Sequence, residues 1–243
     1  MSLRRRTIPC VTADQMREVD RIATEEYRLH LLQMMENAGR HFAHLTRTVL
    51  DGDLREQTML VLCGRGGNGG GGLVAARRLA GWGAPVRVVT TAPPDDYSGV
   101  PGHQLALLRR MGCSVEQADP GSSLPEADLL LDALIGYGLD GELDDKMATL
   151  IERVIWHEAP ALSLDVPSGL DATTGVPRRT TVHAEATVTL ALPKCGLDAP
   201  AAQSAVGDLY LADIGIPPSL YDDLDLGGDV TGLFAEQDLV LLR

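Results

Sequence analysis

The chain is predicted to fold as an α/β protein, a Rossmann-like three-layer αβα sandwich with a mostly parallel central sheet. Three observations predict it. Short apolar runs alternate with amphipathic stretches of helix length along the 243 residues. The runs are apolar at consecutive positions, so the strands they form are covered on both faces, as in a parallel sheet. One run, Met59-Leu-Val-Leu-Cys63, passes straight into Gly64-Arg-Gly-Gly-Asn-Gly-Gly-Gly-Gly72 and then into Leu73-Val-Ala-Ala-Arg-Arg-Leu79, which reads as strand, glycine turn and helix.

The elements follow in order. Residues 1–11 read as a loose arm. Thr12-Ala-Asp-Gln15 is a capping box, and the helix after it sets Met16, Val19, Ile22 and Ala23 on one face. A second helix is predicted over residues 31–50, with Leu32, Met35, Ala38, Phe42 and Leu45 spaced as a core face. Gly39 inside it costs roughly 1 kcal/mol against Ala and so predicts close helix packing. The first strand covers residues 59–63, with a helix from 73 onward. Further strands are expected at 85–91, 113–116, 127–135, 159–165, 187–192 and 208–213. Helices are expected at 100–111 and 143–156. Residues 217–243 read as an irregular tail, and residues 1–243 as a single domain.

Composition narrows the function. The net charge of −13 argues against nucleic acid or an anionic membrane as partner, so any phosphate must be held locally. No apolar run is long enough to span a bilayer, and the basic start is not followed by an apolar signal core. Cys10, Cys63, Cys113 and Cys195 show no metal-ligand spacing and are expected to be reduced thiols of a cytoplasmic protein.

Glycine at seven of the nine positions 64–72 costs roughly 0.5–1 kcal/mol of chain entropy each. A ligand is the expected reason, because free N–H groups and a helix dipole make an anion site there. Gly64, Gly66 and Gly69 fit the dinucleotide spacing GxGxxG, a weak signal alone. In open α/β sheets ligands lie beyond the carboxyl ends of the strands, and several polar residues fall at such ends. Asp132 precedes Ala-Leu-Ile-Gly-Tyr-Gly-Leu-Asp-Gly141, Asp165 opens Asp-Val-Pro-Ser-Gly-Leu-Asp171, and Lys194 lies in Pro193-Lys-Cys-Gly196. Asn68, Asp132, Asp165, Ser168 and Lys194 are expected to share one cleft, with Lys194 facing a phosphate. Oxygen donors from Asn68, Asp132 and Ser168 suit a hard cation such as potassium or magnesium. An ordinary NAD-dependent dehydrogenase lacks support. Thr90-Thr91-Ala92 supplies no acid for a ribose, and the scattered histidines pair with nothing.

These motifs, taken in order, resemble the YjeF N-terminal domain family of NAD(P)H-hydrate epimerases. The resemblance runs from about Val11 to Pro218. It rests on Thr12-Ala-x-x-Met16 with Asp20, Met35-Glu-Asn-Ala-Gly-Arg40, the glycine loop, Asp132-Ala-Leu-Ile-Gly136, Asp165-Val-Pro-Ser-Gly-Leu-Asp171 and Pro193-Lys-x-Gly-Leu197. It implies a homodimer that binds NADHX or NADPHX, a hydrated nicotinamide nucleotide, and a potassium ion held by Asn68, Asp132 and Ser168. The substrate would be held by Gly67, Asn68, Gly69, Gly70, Gly71, the loop Gly136, Tyr137, Gly138, Leu139, Asp140, Gly141 and Glu142, by Asp165 and by Lys194. The family loop usually reads G-x-G-N-N-G-G-D-G; here Gly67 and Gly71 replace an Asn and an Asp. Many members are fused to an ADP- or ATP-dependent dehydratase, an activity not expected of this chain. The implied reaction is epimerisation of the R and S hydrates, with Asp165 as the catalytic carboxyl that moves the proton. The competing reading is a catalytically degenerate nucleotide-binding or protein-interaction module of the same fold.

Overall fold

The computed structural model describes residues 8–50, 53–119, 121–224, 226 and 228–243. Among them, eight strands form one sheet in the order β3-β2-β1-β4-β5-β6-β7-β8. The strands are β1 (Met59–Cys63), β2 (Val86–Thr90), β3 (Ser114–Gln117), β4 (Leu129–Ala133), β5 (Ala161–Leu164), β6 (Ala186–Leu190), β7 (Asp208–Ala212) and β8 (Leu239–Leu241). All neighbours pair in parallel except β7 with β8. The helices are α1 (Ala13–Arg21), α2 (Leu31–Val49), α3 (Gly67–Gly81), α4 (Gly99–Arg110), α5 (Asp145–Ile155) and α6 (Gln203–Val206).

The predicted covering of both sheet faces is present. Met59, Val61 and Cys63 of β1 pack with α3, whereas Leu60 and Leu62 pack with Ile151 and Val154 of α5. The order turns back between β1 and β4, which makes a topological switch point where two loops diverge and leave a crevice.

Three expectations are corrected. First, α3 begins at Gly67 rather than at residue 73. Gly66 caps it, and the Gly70 amide already donates to the Gly66 carbonyl at 3.0 Å. The glycines let the helix press against its surroundings. A Cβ on Gly72 would stand 2.5 Å from the Cβ of Ala133, and one on Gly39 of α2 would stand 2.4 Å from the Gly71 carbonyl oxygen. The close approach inferred from Gly39 is therefore real, and α3 is its partner.

Second, the arm is docked where it is described. Pro9 and Val11 are buried. The Val11 amide donates to Pro193 O and the Val11 carbonyl accepts from Cys195 N, both at 2.9 Å. This pairing brings Cys10 against Cys195, and the two form a disulfide, so the expectation of four reduced thiols fails for that pair. Cys63 and Cys113 are free. Separation by 185 residues hid the contact from any reading of spacing. Residues 1–7 of the predicted arm lie outside the described residues.

Third, the tail is not wholly irregular. Its β8 runs antiparallel to β7 with Leu211 opposite Val240. Three residues carry too short a pattern to announce a strand.

Candidate functional site

A cavity of about 500 Å³ opens at the switch point. Its floor comes from the first turn of α3 (Gly66, Gly67, Asn68), one wall from the loop after β4 (Leu134 to Gly138), and another from Asp165 and Lys194. Met16, Leu31, Met34, Met35, Ala38, Leu190 and Ile214 add an apolar wall, suited to the face of a ring.

Asp165 follows β5 with φ at +68°, in the left-handed region. Asp tolerates that region better than most residues, and such strain persists where the surroundings over-determine it. Here the Asp165 amide donates to Val188 O at 2.6 Å. The side chain is nearly enclosed: Oδ2 accepts from the Tyr137 amide at 2.8 Å, and Oδ1 lies 2.5 Å from Nζ of Lys194. Lys194 is 1% exposed and also donates to Leu190 O at 2.8 Å and to Thr189 Oγ1 at 3.4 Å. Its ammonium is engaged within the fold and not free for a phosphate, against the expectation from sequence.

Asn68 is the opposite case. Both its amide atoms are buried without a protein partner, and they lie beside Asp165. An ideal Cβ on Gly136 would sit 2.6 Å from Asp165 Oδ2 and 3.1 Å from Asn68 Oδ1. Gly136 is thus the opening through which the loop reaches both groups. An orphaned buried amide costs about 1–3 kcal/mol, so a ligand is its natural partner.

Asp132 is fully buried and accepts four hydrogen bonds. Ser168 Oγ donates at 2.6 Å, Ser163 Oγ at 2.8 Å, Ser168 N at 2.9 Å and Leu134 N at 3.2 Å. Burial pushes its pKa up, and these donors pull the other way. Ser168 Oγ also accepts from the Ile135 amide at 2.9 Å. Asp132 and Ser168 therefore pin the β4 loop to the loop after β5. Among the described residues no three His, Cys, Asp or Glu side chains gather as a metal cluster. Oxygen donors of this kind suit a hard cation; of the three, Asn68 Oδ1 is unengaged and lines the cavity, whereas Asp132 and Ser168 are engaged with each other and, against the expectation of one shared cleft, do not line it.

The structure brings Gly67, Asn68, Gly136, Tyr137, Gly138, Asp165 and Lys194 to the cavity. Gly69, Gly70 and Gly71 are buried inside α3, where a Cβ on Gly70 would meet Met35 Sδ at 2.4 Å and one on Gly71 would meet Leu164 Cδ2 at 2.7 Å. Leu139, Asp140, Gly141 and Glu142 continue the loop beyond the lining. Nothing lies within 4 Å of a Cβ on Gly67, so that position is open, whereas position 71 is filled by Leu164.

Asp20 also lines the cavity and accepts from the Tyr137 hydroxyl; the sequence reading gave it no role. Burial raises its pKa above 3.8. Its spacing four residues after Met16 sets both on one face of α1, a signal that points inward without distinguishing core from site.

A doubly wound sheet with an open glycine helix start and an enclosed aspartate–lysine pair at its switch point places the chain among the α/β proteins whose ligand crevice lies beyond the carboxyl ends of the strands. Similarity to known proteins narrows this. The model of the family described as YjeF-related protein N-terminus matches residues 31–196, and the chain belongs to that family. The NAD(P)H-hydrate epimerase of Dehalogenimonas lykanthroporepellens is 45% identical over 212 residues, covering 87% of this chain and 84% of that protein. The NAD(P)H-hydrate epimerase of Rhodopirellula baltica is 31% identical, with 88% and 87% covered. The bifunctional NAD(P)H-hydrate repair enzyme Nnr of Salinibacter ruber is 36% identical, and the match spans 42% of its length. The crystal structure of yeast ynu0 shares the fold, with a TM-score of 0.81, 21% identity and coverage of 96% and 99%.

Proposed function

We propose that the chain is an isomerase that interconverts the R and S forms of hydrated NADH or NADPH. The observation that carries this reading is the enclosed Asp165–Lys194 pair beside an orphaned Asn68 amide, in a chain 45% identical to a named NAD(P)H-hydrate epimerase.

The chemistry follows from the substrate. Its hydroxyl is on the carbon next to the ring nitrogen. The nitrogen lone pair forms C=N⁺ as the C–O bond breaks, and the oxygen leaves as water after gaining a proton. Water then adds to either face of the planar iminium and gives up a proton. Asp165 is the group assigned to that proton. Lys194 and the Tyr137 amide hold its carboxyl group in place, so one group is positioned to give the proton and to take it back. The carboxylate also opposes the positive charge that grows on the ring. The apolar wall excludes water from the rest of the ring. The free N–H groups at the start of α3 take the phosphates, a task that Lys194 does not serve.

The reading extends to a potassium ion, held by Asn68 with Asp132 and Ser168, which would supply fixed positive charge beside the phosphates. It also extends to a homodimer and to a cytoplasmic location. No described helix is long and apolar enough to cross a membrane.

The test is turnover of a chirally resolved hydrate by the purified protein, in potassium and in sodium. Rapid inversion, faster in potassium, supports both the epimerase and the ion. Inversion indifferent to the cation removes the ion alone. Binding of the hydrate with no inversion leaves the non-catalytic module.

A further inference from the structure

One carboxyl on one side of a held ring serves one face. Inversion needs the hydroxyl to leave from one face and water to arrive at the other. If the ring stays seated, a second proton-handling group is required across from the first. Inverting glycosidases meet the same demand with two carboxyls set apart to leave room for water.

The cavity contains such a second carboxyl. Asp20 reaches it from α1, while Asp165 reaches it from the end of β5. The two are linked by Tyr137, whose amide donates to Asp165 Oδ2 at 2.8 Å and whose hydroxyl donates to Asp20 Oδ2. Tyr137 therefore ties the two carboxyls to one residue, Asp165 at its amide and Asp20 at its hydroxyl. The Tyr137 ring lies 5.7 Å from the Lys194 ammonium, which holds the ring in place. Asp20 does not touch the Asp132–Ser168 strap and has no ion pair among the described residues, unlike Asp165. Two aspartates and one lysine leave the network able to carry a net negative charge toward the developing cation.

We propose that Asp20, held by the Tyr137 hydroxyl, is a second catalytic carboxyl that works on the ring face opposite Asp165. Ionisation at one face sends the hydroxyl away as water with a proton from that face's carboxyl. Addition at the other face returns a proton to the second carboxyl, so protons and charge balance over one inversion. Burial raises the pKa of Asp20, which suits a group that must give a proton as well as accept one. This inference rests on the epimerase reading.

The experiment follows inversion and oxygen exchange together, from each pure epimer in ¹⁸O-labelled water, for wild type, Asp20→Asn and Asp165→Asn. Wild type should invert and exchange from both epimers. Asp20→Asn should lose inversion by a factor of ten or more from both. From the epimer whose hydroxyl faces Asp165 it should still exchange oxygen with retention; from the other it should lose exchange too. Asp165→Asn should give the mirror pattern, retaining exchange in the opposite epimer. Tyr137→Phe should lower inversion relative to exchange in the same sense as Asp20→Asn, and it keeps the test available if that variant does not fold. Inversion and exchange falling together by the same factor from both epimers, or not falling, overturns the proposal. A wild-type protein that neither inverts nor exchanges overturns the epimerase reading instead, and the proposal with it.

Discussion

Replacing Lys194 by Met tests whether the Asp165–Lys194 pair carries the site. Lys194 is 1% exposed and its Nζ lies 2.5 Å from Asp165 Oδ1. Met matches the length of the stem and removes the charge. The carboxylate of Asp165 is then buried with the Tyr137 amide as its remaining donor, and Leu190 O loses the 2.8 Å hydrogen bond from Nζ. Removing one partner of a buried ion pair costs about 3–5 kcal/mol, a large part of the roughly 5–15 kcal/mol that holds a typical domain folded. With a urea slope near ~3 kcal/mol/M, the midpoint should fall by about 1–1.7 M. Adding Asp165→Asn removes the stranded charge, so the double variant should recover about 2 kcal/mol or more of the loss. Equilibrium urea unfolding of the three proteins measures both effects. A Lys194→Met variant within about 1 kcal/mol of wild type would mean that the pair is worth no more than a solvated surface bridge. A double variant weaker than the single would refute the stranded-charge reasoning.

Gly136→Ala places a methyl group 2.6 Å from Asp165 Oδ2, so kcat for epimerisation should fall by about tenfold or more, since roughly 1.4 kcal/mol of misplacement is enough; steady-state kinetics check it. The Cys10–Cys195 bridge closes a loop of 185 residues, worth up to about 5 kcal/mol by the loop-entropy relation; unfolding with and without a reductant should show the loss, and Cys10→Ser should reproduce it. Gly39→Ala gains roughly 1 kcal/mol of helix propensity but meets the Gly71 carbonyl oxygen at 2.4 Å, so a lower Tm is expected. Burial raises the pKa of Asp20 above 3.8, so the folded protein holds this proton to higher pH than the unfolded chain. Its contribution to stability is then full below the ordinary aspartate range and is lost as pH rises through the raised value. The Tm of Asp20→Asn relative to wild type should therefore rise with pH across that window.

The strand and helix pattern was legible because consecutive apolar runs and amphipathic stretches report burial directly. β1 was delimited to the residue, and Met16, Val19, Ile22, Ala23, Met35, Ala38, Phe42 and Leu45 are all buried as their spacing implied. Leu32, assigned to the same face, is 40% exposed, because the spacing continues past the point where the core ends. What sequence reasoning missed depends on long-range contacts. The Cys10–Cys195 bridge and the docking of residues 8–11 rest on a pairing between Val11 and Lys194, which no local pattern encodes. The same holds for the inward turn of Lys194, whose partner Asp165 lies on another strand end.

The glycine stretch shows where a motif needs the fold before it can be interpreted. Glycine at 69–72 is explained by packing, since each Cβ there would strike Gly64, Met35, Leu164 or Ala133. A helix end alone would bind any anion. What makes this one specific is Asn68, whose buried amide has no partner in the protein, facing Asp165 across the gap that Gly136 leaves. On the epimerase reading the start of α3 receives the nucleotide, and the chemistry falls to side chains delivered by four other segments: α1, the β4 loop, the end of β5 and the loop after β6. Substitutions at Gly70 or Gly72 should therefore act mainly through stability, whereas those at Asn68 or Gly136 should act mainly through turnover.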